Sequence, residues 1–398
     1  MKRRILRKFI LITCYLSCFF HAYSEISVNK TTIDASIHSK QKYSEAKSVL
    51  NPDNIFQLPE GYSGTVEYVS EYQYKTDRFS FKLGDFGKLD AKKNPDLHNC
   101  VGEAIVSDSV PFGYLDFGKK RINQSVSFFR SPINFALDSG YDTRFSEGRW
   151  MANFDIFTPA GFIGLSYMPK IVCNSDAEKY MSSSQSAQYL LRYSETVLNF
   201  DMGMAVSKKD TWKAGATLST TFGNYVEVHG EYVLNELKND TKNNWEAVTG
   251  ITVNLKYASG IFEYYFNQSG YDGKTWNDML ESWKDKRLAY DLNTITPFSL
   301  YQLGGAFSAF NERPVFEHCR HYLMLHLSNP ETDNYQFAVN TIFNPEDLSG
   351  ILLPSFKYEG WEHISLEGNI SIPFGKEYGE CTLTGESWSC GLDMELHL

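Results

Sequence analysis

The sequence predicts an all-β protein, a closed antiparallel transmembrane β-barrel of about 16 strands (roughly 14 to 18) with long extracellular loops. Three observations lead there. Residues 319–398 fall into short runs of alternating apolar and polar residues, as in Leu323, Leu325, Leu327 and again Leu392, Met394, Leu396, Leu398, with His326, Asp393, Glu395 and His397 between them. A period of two gives a strand one apolar face and one wet face, so it belongs at a boundary between apolar material and water. Beyond the first two dozen residues there is no apolar run long enough for a membrane helix, which needs roughly 20 residues. Aromatic residues make up 15% of the chain, with 25 Tyr and 28 Phe, and spanning barrels concentrate them in two interfacial girdles.

Taken in order, residues 2–8 carry Lys2, Arg3, Arg4, Arg7 and Lys8, followed by an uncharged run from Phe9 to Phe20 and by Ala22-Tyr23-Ser24. Basic, apolar and small-residue regions in that sequence describe a secretory leader. Residues 1–24 are therefore expected to be removed, leaving a mature chain that starts at Glu25. Cys14 and Cys18 add lipid attachment as an alternative in this region. Residues 25–62 are polar, lack alternation and run through Leu58-Pro59-Glu60-Gly61. They are expected to form a periplasmic lead-in with a short helix around Tyr43 to Leu50. The barrel is expected over 63–398, its alternation opening at Thr65 with Val66 and Tyr68.

Next come expected strands at 78–86 and 111–122, with loops at 87–100 and 123–147. Trp150, Ala152, Phe154 and Ile156 then lead through Thr158-Pro159-Ala160-Gly161 to Ile163, Leu165 and Tyr167, which is a hairpin. The same pattern recurs in 198–204, 212–218, 226–232, 245–255 and 262–266. Over 275–292 the spacing of Trp276, Met279, Leu280, Trp283 and Leu288 turns helical. That segment reads as an outer loop carrying a short helix, the alternative being a helix folded into the bore as a constriction. Alternation resumes in 321–327, 335–343, 350–358, 362–372 and 387–398.

If the apolar parity faces lipid, the other parity lines the lumen. It holds Asp155, Asp201, Glu227, Glu231 and Glu246, then Glu263, Glu367, Asp393 and Glu395. Lys213, Lys256 and Lys357 are fewer, and His229, His363 and His397 add little charge near neutrality. Rings of carboxylates favour cations in a wide pore, so a weak cation preference is expected. The alternative is that these acids only keep one face solvated and are cancelled by cross-strand pairing. Lys119, Lys120 and Arg121, with Arg130, Arg144 and Arg149 further on, run against the acidic trend. They form either a positive strip that attracts carboxylated solutes or a rim cluster paired with the acids.

The precursor carries a formal charge of −10, and the leader takes five cations with it. A chain this acidic is a poor nucleic-acid partner. Cys381 and Cys390 bracket a short polar segment between the last two expected strands, so a disulfide is expected there in an oxidising compartment. No cysteine or histidine set has zinc spacing. His318, Cys319 and His321 would alternate faces along a strand, so no joint metal ligation and no cofactor is expected. Neither a GxSxG-like nor an HExxH-like setting is present to hold a nucleophile beside a base, so no enzyme activity is expected.

The phrase FGKKRINQSVSFFRSPINFALD, with Ser131-Pro132 after the basic strand, resembles a pattern in porin-like bacterial outer-membrane channels of the alginate-export type. The phrase IFNPEDLSGILLPSFKYEGWEHISLEGNISIPFG is similar to their last two hairpins, with Asp347 and Ser349 before an apolar strand that holds Pro354. The resemblance covers 111–171 and 334–398. Gln124 stands where that pattern usually has a tryptophan, and the chain closes on Leu398 rather than on an aromatic residue. The residue pattern and the resemblance together imply a channel in the bacterial outer membrane that lets small hydrophilic solutes diffuse, with outer-membrane lipid and the barrel-assembly machinery as further partners. The alternative is a surface adhesin or ligand-binding barrel whose loops 87–100, 123–147 and 268–300 carry the function.

Overall fold

The computed structural model describes residues 31–44, 48, 50–51, 55–56, 61–75, 79–91, 96–136, 148–172, 185–235, 244–291, 297–311, 315–330, 334–361, 363–376, 378–383 and 386–397. Among the described residues 18 strands form one sheet. They are β1 (Thr31–Ser44), β2 (Gly61–Lys75), β3 (Phe79–Ala91), β4 (Asp96–Val110), β5 (Gly113–Lys120), β6 (Arg149–Phe157), β7 (Gly161–Met168), β8 (Gln188–Val197) and β9 (Phe200–Lys208), then β10 (Trp212–Phe222), β11 (Val226–Asn235), β12 (Asn244–Asn254), β13 (Ser259–Asn267), β14 (His321–Ser328), β15 (Tyr335–Asn344), β16 (Ser349–Trp361), β17 (Ile364–Phe374) and β18 (Glu386–His397). Each strand pairs antiparallel with its neighbours in the chain. The last strand also pairs with the first, with Asp34 opposite His397 and Tyr43 opposite Trp388, and this closes the sheet. Closure leaves no unpaired edge, as a spanning sheet in lipid requires.

Alternation along the strands sorts side chains in and out. On β8, Tyr189 and Leu191 are exposed while Gln188, Leu190 and Arg192 are buried. On β11, Tyr232 and Leu234 face out while His229, Glu231, Val233 and Asn235 are buried. The two ends of the barrel differ. At one end the connections run two to six residues, from 76–78 to 362–363, and β1 begins and β18 finishes there. The long connections 45–60, 121–148, 169–187 and 268–320 all leave from the other end. Short periplasmic turns and longer extracellular loops are the rule for such barrels.

The count of 18 exceeds the 16 expected because three strands hide their alternation. Strand β1 occupies part of the segment assigned to a lead-in, and it pairs with both β2 and β18; Tyr43 and Ser44 are its last residues, not the start of a helix. Its outward parity carries Ala35, Ser39 and Gln41 among larger residues, which dilutes the signal. The expected loop 87–100 is shared between the end of β3 and the start of β4, and a register shift between Gly84–Glu103 and Asp85–Val101 breaks the period of β4. On β8 the inward Leu190 sits beside the outward Leu191, which masks the alternation. The leader region, residues 1–24, lies outside the described residues.

Two helices sit in the longest connection: α1 (Gly273–Asp291) and α2 (Pro297–Asn311). Asp272 caps α1, its Oδ1 accepting the Thr275 N–H at 2.8 Å, and α2 opens on proline, whose missing N–H costs nothing in a first turn. Trp276, Leu280 and Trp283 on α1 and Leu303, Ala306 and Phe310 on α2 form narrow buried stripes at helical spacing. They pack on inward side chains of the wall, Val248, Tyr265, Tyr322, Met324 and Ile342. The helical segment therefore folds inward at the loop end of the bore, and α2 was not foreseen.

The expected Cys381–Cys390 disulfide is absent: both are free thiols. Cys390 shares the parity of Leu392 and Met394 on the outward face of β18, whereas Cys381 is buried in the inward cluster. The wall stands between them.

Candidate functional site

The interior is shaped by the connection after β5. Its residues 121–136 cross the bore, reaching wall strands half-way round the barrel before returning to β6. Two wall carboxylates hold the crossing. Glu231 on β11 accepts from Ser125 Oγ, Val126 N and Ser127 N on Oε1 at 2.9, 2.8 and 3.0 Å, and from Ser131 Oγ on Oε2 at 2.7 Å. Glu263 on β13 accepts from Phe128 N and Phe129 N at 2.6 and 3.0 Å. A turn that exposes several backbone N–H groups needs acceptors when it is buried, and these acids supply them. His229 Nε2 lies 2.9 Å from Glu263 Oε1, across the intervening strand at Gly250, which is opposite both. A side chain at 250 would fill the space they share, since an added Cβ would lie 2.3 Å from His229 Nε2.

Behind the anchors the loop is seated on apolar wall. Ile122, Ile133, Phe135 and Ala136 pack with Met151, Met168, Leu190, Ala205 and Val233, and Gly215 leaves room for Ile133, whose Cγ1 would be 2.9 Å from an added Cβ. The sector from β6 to β13 is thus filled. Phe128 is half exposed, with its ring 4.8 Å from the His326 ring on β14. Arg130 bonds Glu317 at 2.6 Å and lies over the Tyr265 ring.

A second lock holds the helical segment. Glu380, in the connection between β17 and β18, is fully buried and accepts from Phe316 N at 2.5 Å, Tyr322 Oη and Asn344 Nδ2 each at 2.9 Å, and pairs with His318 Nδ1 at 2.9 Å. The other His318 nitrogen donates to the Phe310 carbonyl of α2 at 2.8 Å. Asp347 accepts the N–H groups of Ser349 and Glu380 at 2.8 and 2.6 Å. Burial pushes the Asp347 carboxyl up, and those donors offset only part of it. The Cys319 and Cys381 thiols are pushed far up by burial and by the neighbouring Glu380. Cys319, Asp347 and Glu380 offer ligand atoms within 4.8 Å of one another, but both carboxylates are already committed to these donors. The cluster is a hydrogen-bonded clasp rather than a metal centre.

The residues singled out from the sequence fall into three groups. Glu231 and Glu263 anchor the loop, and Glu246 accepts from Asn235 Nδ2 and Tyr265 Oη at 2.9 and 2.6 Å. The cations are paired: Lys120 with Asp116, Arg121 with Glu71 and Glu103 at 2.6 and 3.2 Å, Arg130 with Glu317, while Arg192 holds Asp155 at 2.6 Å. Lys119 is fully buried and donates to the Val101 carbonyl, and Arg149 donates to Gln188 at 2.7 Å. Arg144 lies outside the described residues. The third group sits near the short-turn end: Asp201, Glu227, Glu367, Asp393 and Glu395, with Glu367 opposite Asp393 and Ser365 opposite Glu395. Sequence reasoning missed Lys82, Glu71 and Glu103, which form one network with Arg121; Glu103 lies on β4, the strand that the expected loop concealed. It also missed Phe128, His326 and Glu380, whose roles depend on contacts far apart in the chain.

No family model and no curated protein matches this chain. Solved structures do match in fold. It is similar to OprD of Pseudomonas aeruginosa, an outer membrane protein, with a TM-score of 0.56 at 9% identity over 94% of this chain and 95% of that one. The likeness to OccAB4 of Acinetobacter baumannii has a TM-score of 0.58 at 9% identity over 93% and 98%. That to the outer membrane protein opdK of Pseudomonas aeruginosa has a TM-score of 0.55 at 6% identity over 94% and 100%. The porin-like half of the resemblance drawn from the sequence is supported and its alginate-export half is not: the shared architecture is that of OprD- and Occ-type outer-membrane barrels.

Proposed function

We propose that this chain is an outer-membrane channel through which small hydrophilic solutes diffuse, and that residues 1–24 direct its export. The observation that carries the reading is the loop that crosses the bore, fixed to Glu231 and Glu263 on the wall. A scaffold that only displays loops has no need to fold its two longest connections inward. The described parts of two of the loops that an adhesin would use are folded into the bore, and most of the third is strand. The fold likeness to outer membrane proteins of Pseudomonas aeruginosa supports the location.

Selectivity in this reading is steric at the crossing and electrostatic below it. The anchoring acids are consumed by backbone donors and the basic run by ion pairs, so neither supplies a free charged strip at the crossing. The acids near the short-turn end, Glu227, Glu367 and Glu395 among them, are half-buried and give the passage a weak cation preference. Single-channel recording of the chain from Glu25 in a planar bilayer, under a salt gradient, tests both parts. Stable current steps with a reversal potential on the cation side are expected. Absence of current from a folded, heat-modifiable barrel would overturn the channel, and an anion-side potential would overturn the charge assignment.

A further inference from the structure

Outside the bore, the wall from β5 to β10 carries a groove of about 510 Å³, within the range of roughly 300–1,000 Å³ typical of small-molecule sites. Its cause is local. Ala152 stands between Trp150 and Phe154 on the outward face of β6 and opposite Tyr167 on β7, so a small side chain leaves a trough among large ones. Leu115, Phe154, Leu165, Leu191 and Val206 wall it. At the loop end the groove finishes in Tyr167, Tyr189, Trp212 and Lys208. Tyr167 and Tyr189 are paired, with ring centroids 5.0 Å apart, and the Lys208 ammonium rests on the Trp212 ring, 5.1 Å from its centroid.

Lysines outnumber acids at the loop end of these strands. Lys208 closes β9 on the outward parity, exposed Lys209 and Asp210 follow it in the turn, and exposed Lys170 follows the end of β7. At the short-turn end the outward parity of β8 carries an acid instead, the half-buried Glu195. An apolar trough in a lipid-facing wall takes acyl chains; a trough capped by aromatic rings and lysines at the extracellular end takes acyl chains joined to an anionic head.

We infer that this groove is a binding site for a phosphorylated, multiply acylated lipid of the outer leaflet, with its chains along Leu165, Leu191 and Val206 and a phosphate on Lys208. The inference stands apart from the channel reading, since a barrel that conducts nothing could still hold the lipid.

The test is native mass spectrometry of the mature barrel in mild detergent, titrated with diphosphorylated lipid A and, in parallel, with the same lipid stripped of its phosphates. The wild-type protein is expected to retain the phosphorylated form at least about tenfold more tightly, and Lys208→Glu to remove that preference, the size following from reversing one charge near an anionic head. Lys208→Gln should give an intermediate loss. Lys256→Glu is the control, because Lys256 makes the same contact with a ring, Tyr257 at 5.0 Å, at the short-turn end, and it should leave retention unchanged. Equal binding of both lipids, or equal losses from the two charge reversals, would overturn the assignment. Retention of the heat-modifiable folded band shows that each variant still forms the barrel.

Discussion

Gly250 shows how much a single missing side chain decides. It lets His229 and Glu263 meet across β12, and Glu263 in turn receives two backbone donors of the crossing loop. Gly250→Ala is expected to cost about 1–3 kcal/mol, as overpacking in a filled interior does, and to lower the temperature at which the folded band converts on a gel. An unchanged conversion temperature would mean that the pair is not what holds the loop. Asp347 makes a pH statement. Its carboxyl is raised in the folded state by burial, so its contribution to the clasp is fully present below the ordinary carboxylate pKa of about 3.9 and is lost as pH rises through the raised value. Hydrogen exchange at the Glu380 and Ser349 amides, corrected for intrinsic rate, should show stronger protection at pH 4 than at pH 7. Asp347→Asn should remove the difference; equal protection at both pH values would contradict the assignment.

At the scale of elements, the two inward-folded connections are held by different means. The loop after β5 is fastened through backbone donors and two acids, which fix its path closely. The helical segment depends on apolar stripes, with Trp276 fully buried between Tyr271 and His318 and Trp283 set edge-on to Phe310. Trp276→Ala is expected to cost about 3–5 kcal/mol of local stability. Because the wall strands keep their own ladders, the loss should appear as protease cleavage within 268–320 while the barrel band persists. Loss of the folded barrel itself would show that the helices support the wall. Helix α1 was legible, since its stripe has a clear period; α2 was not, because PFSLYQLGGAFSAFN is apolar on several sides and shows little amphipathic contrast.

For the whole molecule, closure sets the geometry. Pairing of β1 with β18 removes the edges and leaves a single interior, which the loop after β5 crosses. The acids read from parity as one lumen set take different roles: Glu231 and Glu263 anchor the crossing loop, while Asp155, near the short-turn end, is held by Arg192. In the channel proposed above, the sign of the reversal potential is expected to follow the acids near the short-turn end, and the size of the current steps the crossing loop.

The sequence by itself determined the class of fold, because a two-residue period over 149–398 is a local property of the chain: strands such as β6, β7, β11 and β13 announce one apolar face each, and that face demands an apolar medium. It determined the inward parity of Glu231, Glu263 and Asp155 for the same reason. Only the tertiary structure decided what those residues do. Whether an inward carboxylate meets water, an arginine or a loop N–H depends on where 121–136 and 268–320 travel, and that path is fixed by contacts between residues a hundred or more positions apart, such as Ser127 with Glu231 and Phe128 with Glu263. Alternation carries no information about such contacts, which is why the wall could be read from the sequence and the contents of the bore could not.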